Sequence, residues 1–113
     1  MVVRQRESEE AINQLFRALA DGTRRDILAR SLKETPSVSV LAARYDMSFA
    51  AVQKHVAVLE RAGLVQKRAS GREQLVSTNR ARLQRAGELL DYFESIWRQR
   101  LAQIDDVLRP KGN

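Results

Sequence analysis

An amide and an ammonium group stand side by side at Gln53 and Lys54, one helical turn beyond Ser48, Phe49 and Ala50. These side chains suit the edge of a base pair. Glutamine can bond bidentately to adenine, and lysine can reach the acceptors of guanine or a phosphate. Phe49 or Ala50 can lie against a thymine methyl group. A solvated helix face has a similar composition, so the pair matters only if its element points it into a groove. His55, the single histidine of the chain, is open to two readings. One is a proton-driven or ligand-binding switch; the other is a plain phosphate or packing contact at the edge of the same element. Lys67, Arg68 and Arg72 cluster around Ser70-Gly71, where they would bind phosphates or enter a minor groove. Such contacts position a protein more than they specify sequence. Arg24 and Arg25 begin an earlier helix, with one of them suited to a phosphate and the other to a surface or ion-pairing role.

Other chemistries find little support. The chain has no cysteine, which excludes disulfides, thiolate metal sites and thiol redox reactions. The acidic pairs Glu9-Glu10 and Asp105-Asp106 are neighbours along helices, so their carboxylates do not face one another. No convergent acid, base and nucleophile can be assembled. Neither an enzyme nor a cofactor is expected.

Charge points the same way as the side chains. The net charge is +6 over 113 residues, and residues 21–80 hold 11 Lys and Arg against 6 Asp and Glu. The excess thus sits around the candidate contacts, as a polyanion partner requires, because neutralising phosphates releases condensed counterions. Hydrophobic residues make up 43%, ordinary for a globular protein of one domain over 1–113. No apolar run approaches the roughly 20 residues of a membrane span. The segment Met1 to Glu10 is charged from Arg4 onward and lacks an apolar signal core. The cytoplasm, close to the nucleoid, is the expected compartment, with no membrane contact.

The elements that must position these residues can be traced by periodicity. Ile12, Leu15, Phe16 and Leu19 form one apolar stripe, predicting a first helix over about 8–20. Asp21-Gly22 breaks it, and Thr23, with Asp26 three residues on, is expected to cap a second helix ending near Leu32. A short helix over Val40 to Arg44, the turn Tyr45-Asp46-Met47, and a longer helix capped by Ser48 and stopped by Gly63 follow. Leu41, Ala42, Tyr45, Met47, Val52, Val56 and Leu59 point inward, which makes residues 38–62 a helix-turn-helix. Strands over Leu64 to Ala69 and Glu73 to Ser77, joined at Ser70-Gly71, make a basic hairpin over 64–77. The last helix, over 80–108, repeats Leu83, Leu90, Trp97 and Ile104 every seven residues. Leu89, Phe93, Ile96, Leu101 and Leu108 widen its stripe beyond what covering a small domain needs. Together with Ile12, Leu15 and Phe16 this is a natural dimer surface. The tail from Pro110 is expected to fray.

In order along the chain, these pieces resemble the ArsR/SmtB family of winged helix-turn-helix repressors. The resemblance is carried by Leu19-Ala20-Asp21-Gly22-Thr23-Arg24-Arg25, by Leu41-Ala42, and by Val52-Gln53-Lys54-His55-Val56. Leu59-Glu60-Arg61-Ala62-Gly63-Leu64-Val65 and Ser70-Gly71-Arg72 complete it. It implies a mainly α fold with a small β-hairpin wing, dimerising through the first and last helices. It also implies a homodimer that places the second helix of the motif in the major groove of double-stranded DNA and represses until an effector releases it. An unknown small effector would be sought in a cavity between helices of the dimer. The family's metal sensors use cysteines in the first helix of the motif, or acidic and histidine ligands on the last helix. Here Ser39-Val40-Leu41-Ala42-Ala43 has no cysteine, and Asp91, Glu94, Asp105 and Asp106 have no histidine beside them, so no metal site is expected. Gly22 stands where the family often has proline. A winged helix used only for protein–protein contact, without an operator, is the alternative.

Overall fold

The computed structural model describes residues 8–110; the expected fraying of Lys111 to Asn113 lies outside them. The chain is described as two compact units, one ending at Leu83 and the other beginning at Gln84. The first contains α1 (Glu9–Leu19), α2 (Gly22–Lys33), α3 (Val38–Ala42), α4 (Phe49–Arg61), the strands β1 (Val65–Ser70) and β2 (Glu73–Thr78), and the first turn of α5 (Arg80–Leu108). The second is the remainder of α5.

All five helices begin in the same way, α5 through the bond from Arg82 N–H to Asn79 Oδ1. The side chains of Ser8, Asp21, Ser37 and Ser48 accept hydrogen bonds from the backbone N–H groups of Ala11, Arg24, Val40 and Ala51. Each satisfies a donor that the first turn would otherwise leave unpaired. Two of these caps shift boundaries expected from sequence. Asp21 caps α2, not Thr23, so the expected helix breaker Asp21-Gly22 becomes the helix start. Ser37 caps α3, which therefore runs over Val38–Ala42 and not over Val40 to Arg44, and buries Val38. At the other end of α4, Gly63 has φ +80°. Leu64 N–H bonds to Leu59 O and Gly63 N–H to Glu60 O, a pair of bonds that closes a helix through a left-handed glycine.

The core of the first unit is built where apolar faces meet. Leu15, Ile27, Leu41, Val52, Val56, Leu59, Leu64 and Val76 are all fully or almost fully buried, and each such side chain contributes about 1.5–3 kcal/mol by leaving water. Leu15 was expected on the dimer surface. It lies wholly within the core of its own chain, while Ile12 and Phe16 on the same stripe remain half-buried.

The hairpin is antiparallel, with register running from Val65↔Thr78 to Ser70↔Glu73. Ser70, expected in the turn, is therefore paired, and Gly71-Arg72 make the connection. Only Gly71 has a positive φ, +62°, which fits a type II′ turn with glycine first. The strands are tied back to the helices through a bridge between Ser37 and Leu75 and a 2.8 Å bond from Val76 N–H to Pro36 O.

In the second unit, Leu90, Tyr92, Phe93, Ile96, Trp97, Leu101, Ile104, Val107 and Leu108 are exposed, and Leu89 is half-buried. The polar arc of the helix carries ion pairs Glu94–Arg98 at 2.6 Å and Asp105–Arg109 at 3.2 Å. No helix among the described residues is long and apolar enough to cross a membrane.

Candidate nucleic-acid interface

The helix α4 buries one face and presents another. Val52, Val56 and Leu59 point into the core, whereas Ala50, Gln53 and Lys54 are exposed together on the opposite side. Phe49 is 46% exposed at the first turn. Ser48 is also exposed, but its hydroxyl oxygen is engaged in the cap. Spacing alone suggested this outward row, and the periodicity of a helix whose inward positions are aliphatic accounts for it.

Along the hairpin, Lys67, Arg68, Ser70, Gly71 and Arg72 are exposed. Their cations are not equivalent. Lys67 pairs with Glu60 of α4 at 3.5 Å, whereas Arg68 and Arg72 have no ion pair among the described residues. Alternation along β1 sends Lys67 and Arg68 to opposite faces of the hairpin.

Arg24 and His55 are placed differently from the expectation of direct DNA contact. The Arg24 guanidinium donates from Nε to Ala18 O at 2.9 Å and from Nη2 to Arg17 O at 2.9 Å. Its Nη1 stands 3.2 Å from His55 Nδ1. Arg25 reaches the neighbouring carbonyl of Leu19 at 2.8 Å, so two cations close the C-terminal end of α1, where carbonyls and the helix dipole favour positive charge. Asp21 Oδ2 lies 3.9 Å from His55 Nδ1. The backbone N–H of Arg24, assisted by the charge of that arginine, holds the Asp21 carboxyl below its usual range.

A second polar group escaped sequence reasoning. Tyr45, in the turn between α3 and α4, donates its hydroxyl to Asp26 Oδ2, and Arg30 Nε donates to the same oxygen at 2.8 Å. Burial, and then the bond to Asp26, push the Tyr45 phenol up to about 12. The bonds from Tyr45 and Arg30 hold Asp26 low. Asp26 and Arg30 are four residues apart on one helix and could have been paired from sequence. Nothing local indicates Tyr45 as the third member. Arg82 is likewise tertiary: it donates to Ala62 O at 3.0 Å and to Ala11 O at 3.1 Å. Among the described residues, no group of three or more His, Cys, Asp or Glu side chains is placed to hold a metal ion.

Comparison with known proteins places this geometry. A family model described as a helix-turn-helix domain matches residues 19–68. An ArsR-like transcriptional regulator from Rhodococcus sp. RHA1 is 33% identical, with a TM-score of 0.77 over 87% of this chain and 90% of that one. The chain belongs to the ArsR family. As an ArsR-family protein it is a DNA-binding transcriptional regulator, with α3 and α4 as its helix-turn-helix and β1–β2 as its wing. HlyU from Vibrio cholerae N16961 is 28% identical, with a TM-score of 0.61 over 74% of this chain and 91% of that one. The homodimeric winged helix-turn-helix domain of Mb0332 from Mycobacterium bovis covers 83% of this chain and 91% of its own, with a TM-score of 0.63. At 20% identity it shows a shared fold. No curated protein gives a significant sequence match.

Proposed function

We propose that this ArsR-family regulator is a homodimeric repressor, acting in the cytoplasm, that reads a near-palindromic operator. The N-terminal half of α4 lies in the major groove. Gln53 and Lys54 meet base edges, with Phe49 or Ala50 against a thymine methyl group. Arg68 and Arg72 hold phosphates or the minor groove beside it, with Lys67, Ser70 and Gly71 along the same wing. One observation carries this reading: Ala50, Gln53 and Lys54 form an exposed row on a rigidly capped helix. The dimer is supported by the apolar face of α5, where Leu90, Phe93, Ile96, Trp97, Leu101 and Ile104 are exposed. The homodimeric state of the Mb0332 domain supports it as well. Leu89 extends this face of α5, and Ile12 and Phe16 of α1 are proposed as further dimer contacts in their own unit. Two recognition helices then stand about 34 Å apart, one turn of DNA.

Titration of a labelled duplex from the protein's own promoter, beside a scrambled duplex and at several salt concentrations, tests the reading. A preference of about a thousandfold with a steep salt slope is expected. A search for a releasing effector follows from that result. Equal, weak binding to every duplex, including those recovered from a random library, would instead favour a winged helix that contacts protein.

A further inference from the structure

We infer that Arg24 and His55 govern operator recognition without touching DNA, as positioning residues that set the rotation of α4 against α1 and α2. The inference rests on the DNA-reading role of α4 proposed above. Three features of the geometry lead to it. First, each nitrogen of the Arg24 guanidinium has a partner within the chain: Nε and Nη2 hold carbonyls in the last turn of α1 and Nη1 meets His55. The fork is thereby turned toward the protein and not toward an approaching phosphate. Second, a guanidinium can only donate. Nδ1 of His55 must therefore accept, with the ring proton on Nε2. Third, His55 lies three residues after the buried Val52, about 60° short of a full helical turn. It falls on the flank of α4, between the core and the outward row, with 22% of its side chain exposed.

The consequence is mechanical. Rotation of α4 about its axis would move Gln53 and Lys54 across the groove; the buried face at Val52, Val56 and Leu59 fixes which side of α4 meets the core, but contacts without direction define its fine angle less closely. A hydrogen bond with one required donor and one required acceptor is directional. Asp21 anchors the residue that carries the guanidinium, since its Oδ2 caps α2 through the Arg24 N–H. One short polar chain thus links the end of α1, the start of α2 and the recognition helix. A small error in the angle of a helix impairs base readout, which needs bidentate geometry, far more than it impairs phosphate attraction, which does not.

The test measures specific and non-specific binding separately. Wild type, Arg24→Lys, His55→Ala and His55→Gln would be titrated into the duplex that wild type selects from a random library, and into a scrambled duplex, across a salt series. Arg24→Lys keeps the charge but lacks the planar fork that serves both carbonyls and His55 at once; His55→Gln keeps a neutral acceptor, Oε1, one bond beyond the place of Nδ1 on a flexible side chain that can fold back to Arg24. Arg24→Lys and His55→Ala should weaken binding to the selected duplex about tenfold, the order of one missing bond to a charged group. Binding to the scrambled duplex and the salt slope should stay unchanged, and His55→Gln should restore most of the affinity. Thermal melting confirms that each variant is folded; if His55→Ala is not, Arg24→Lys and His55→Gln decide. A fall on both duplexes, with a salt slope reduced by about one for each phosphate no longer bound, would mean that these side chains touch the DNA backbone and would overturn the inference. So would full retention of specific affinity in Arg24→Lys and His55→Ala, or a His55→Gln variant no better than His55→Ala. If wild type selects no sequence at all, the operator reading fails first and takes the positioning role with it.

Discussion

Gln53, Lys54 and His55 are consecutive, yet they face different surroundings because each residue turns the side chain about 100° around a helix. Gln53 and Lys54 look outward, and His55 turns back toward Arg24. Replacement of Gln53 by alanine should cost about 1–3 kcal/mol on the selected duplex and relax base preference at one position. A base-by-base substitution series of that duplex would show it; unchanged preference at every position would remove Gln53 from the readout. Tyr45 makes a prediction of a different kind. Its folded phenol is pushed up to about 12, so the fold favours the neutral form. That contribution is complete below the ordinary phenol value of 10 and is lost as pH rises through the folded one. Urea unfolding between pH 9 and pH 12 should show stability falling in wild type and falling less in Tyr45→Phe. Parallel pH dependence of the two proteins would refute the assignment. Asp21 and Asp26, both held low, act in the opposite sense: their contribution is present above the usual carboxylate range and disappears as acid protonates them.

At the scale of elements, α4 is defined at both ends by single residues. Ser48 fixes its start through the bond from Ala51 N–H, and Gly63 fixes its end with a φ that other residues rarely adopt. Ser48→Ala should lower stability by about 1 kcal/mol and fray the turn that holds Phe49 and Ala50. Hydrogen exchange would locate the effect at the amides of residues 49–52; undiminished protection there would contradict the capping role. Both signals were legible in sequence, since a serine before an apolar-periodic run and a glycine after it act locally. The start of α3 was not. Ser37 follows Pro36 in what looks like a loop, and its role as cap depends on Val38 finding a place in the core and on the loop pairing with Leu75. The turn of the wing shows the same division. A glycine turn near 71 is plain from composition, but its register depends on which residues of β1 and β2 pair.

For the whole molecule the decisive feature is α5. A helix of 29 residues with Trp97 58% and Phe93 61% exposed presents more contiguous apolar surface than a monomer usually leaves in water. Trp97→Glu should therefore convert a dimer to monomers, halving the mass seen by sedimentation equilibrium and weakening operator binding steeply, since a single half-site remains. If the mass of wild type already equals one chain, the proposed dimer is wrong. Leu15 shows where the sequence reading of this surface went too far. It shares a stripe with Ile12 and Phe16, but the turn of about 100° per residue puts it at one edge of that stripe, and that edge, with Ala18, is buried in the chain's own core.

What the sequence determined by itself is therefore local or periodic. The order of the elements, the apolar faces, the cap at Ser48, the stop at Gly63, the outward row on α4 and the concentration of positive charge in residues 21–80 all follow from neighbours within a few turns. Tertiary structure alone decided which polar groups meet. Arg24 and His55 are 31 residues apart, and Asp26 and Tyr45 are 19 apart. A cation near a helix start looks the same in sequence whether it awaits a phosphate or closes the end of another helix. Only the packing of α1 against α2 brings the carbonyls of Arg17 and Ala18 within reach of Arg24, and a part-buried acceptor at Ala18 left unpaired would cost more than a surface charge gains.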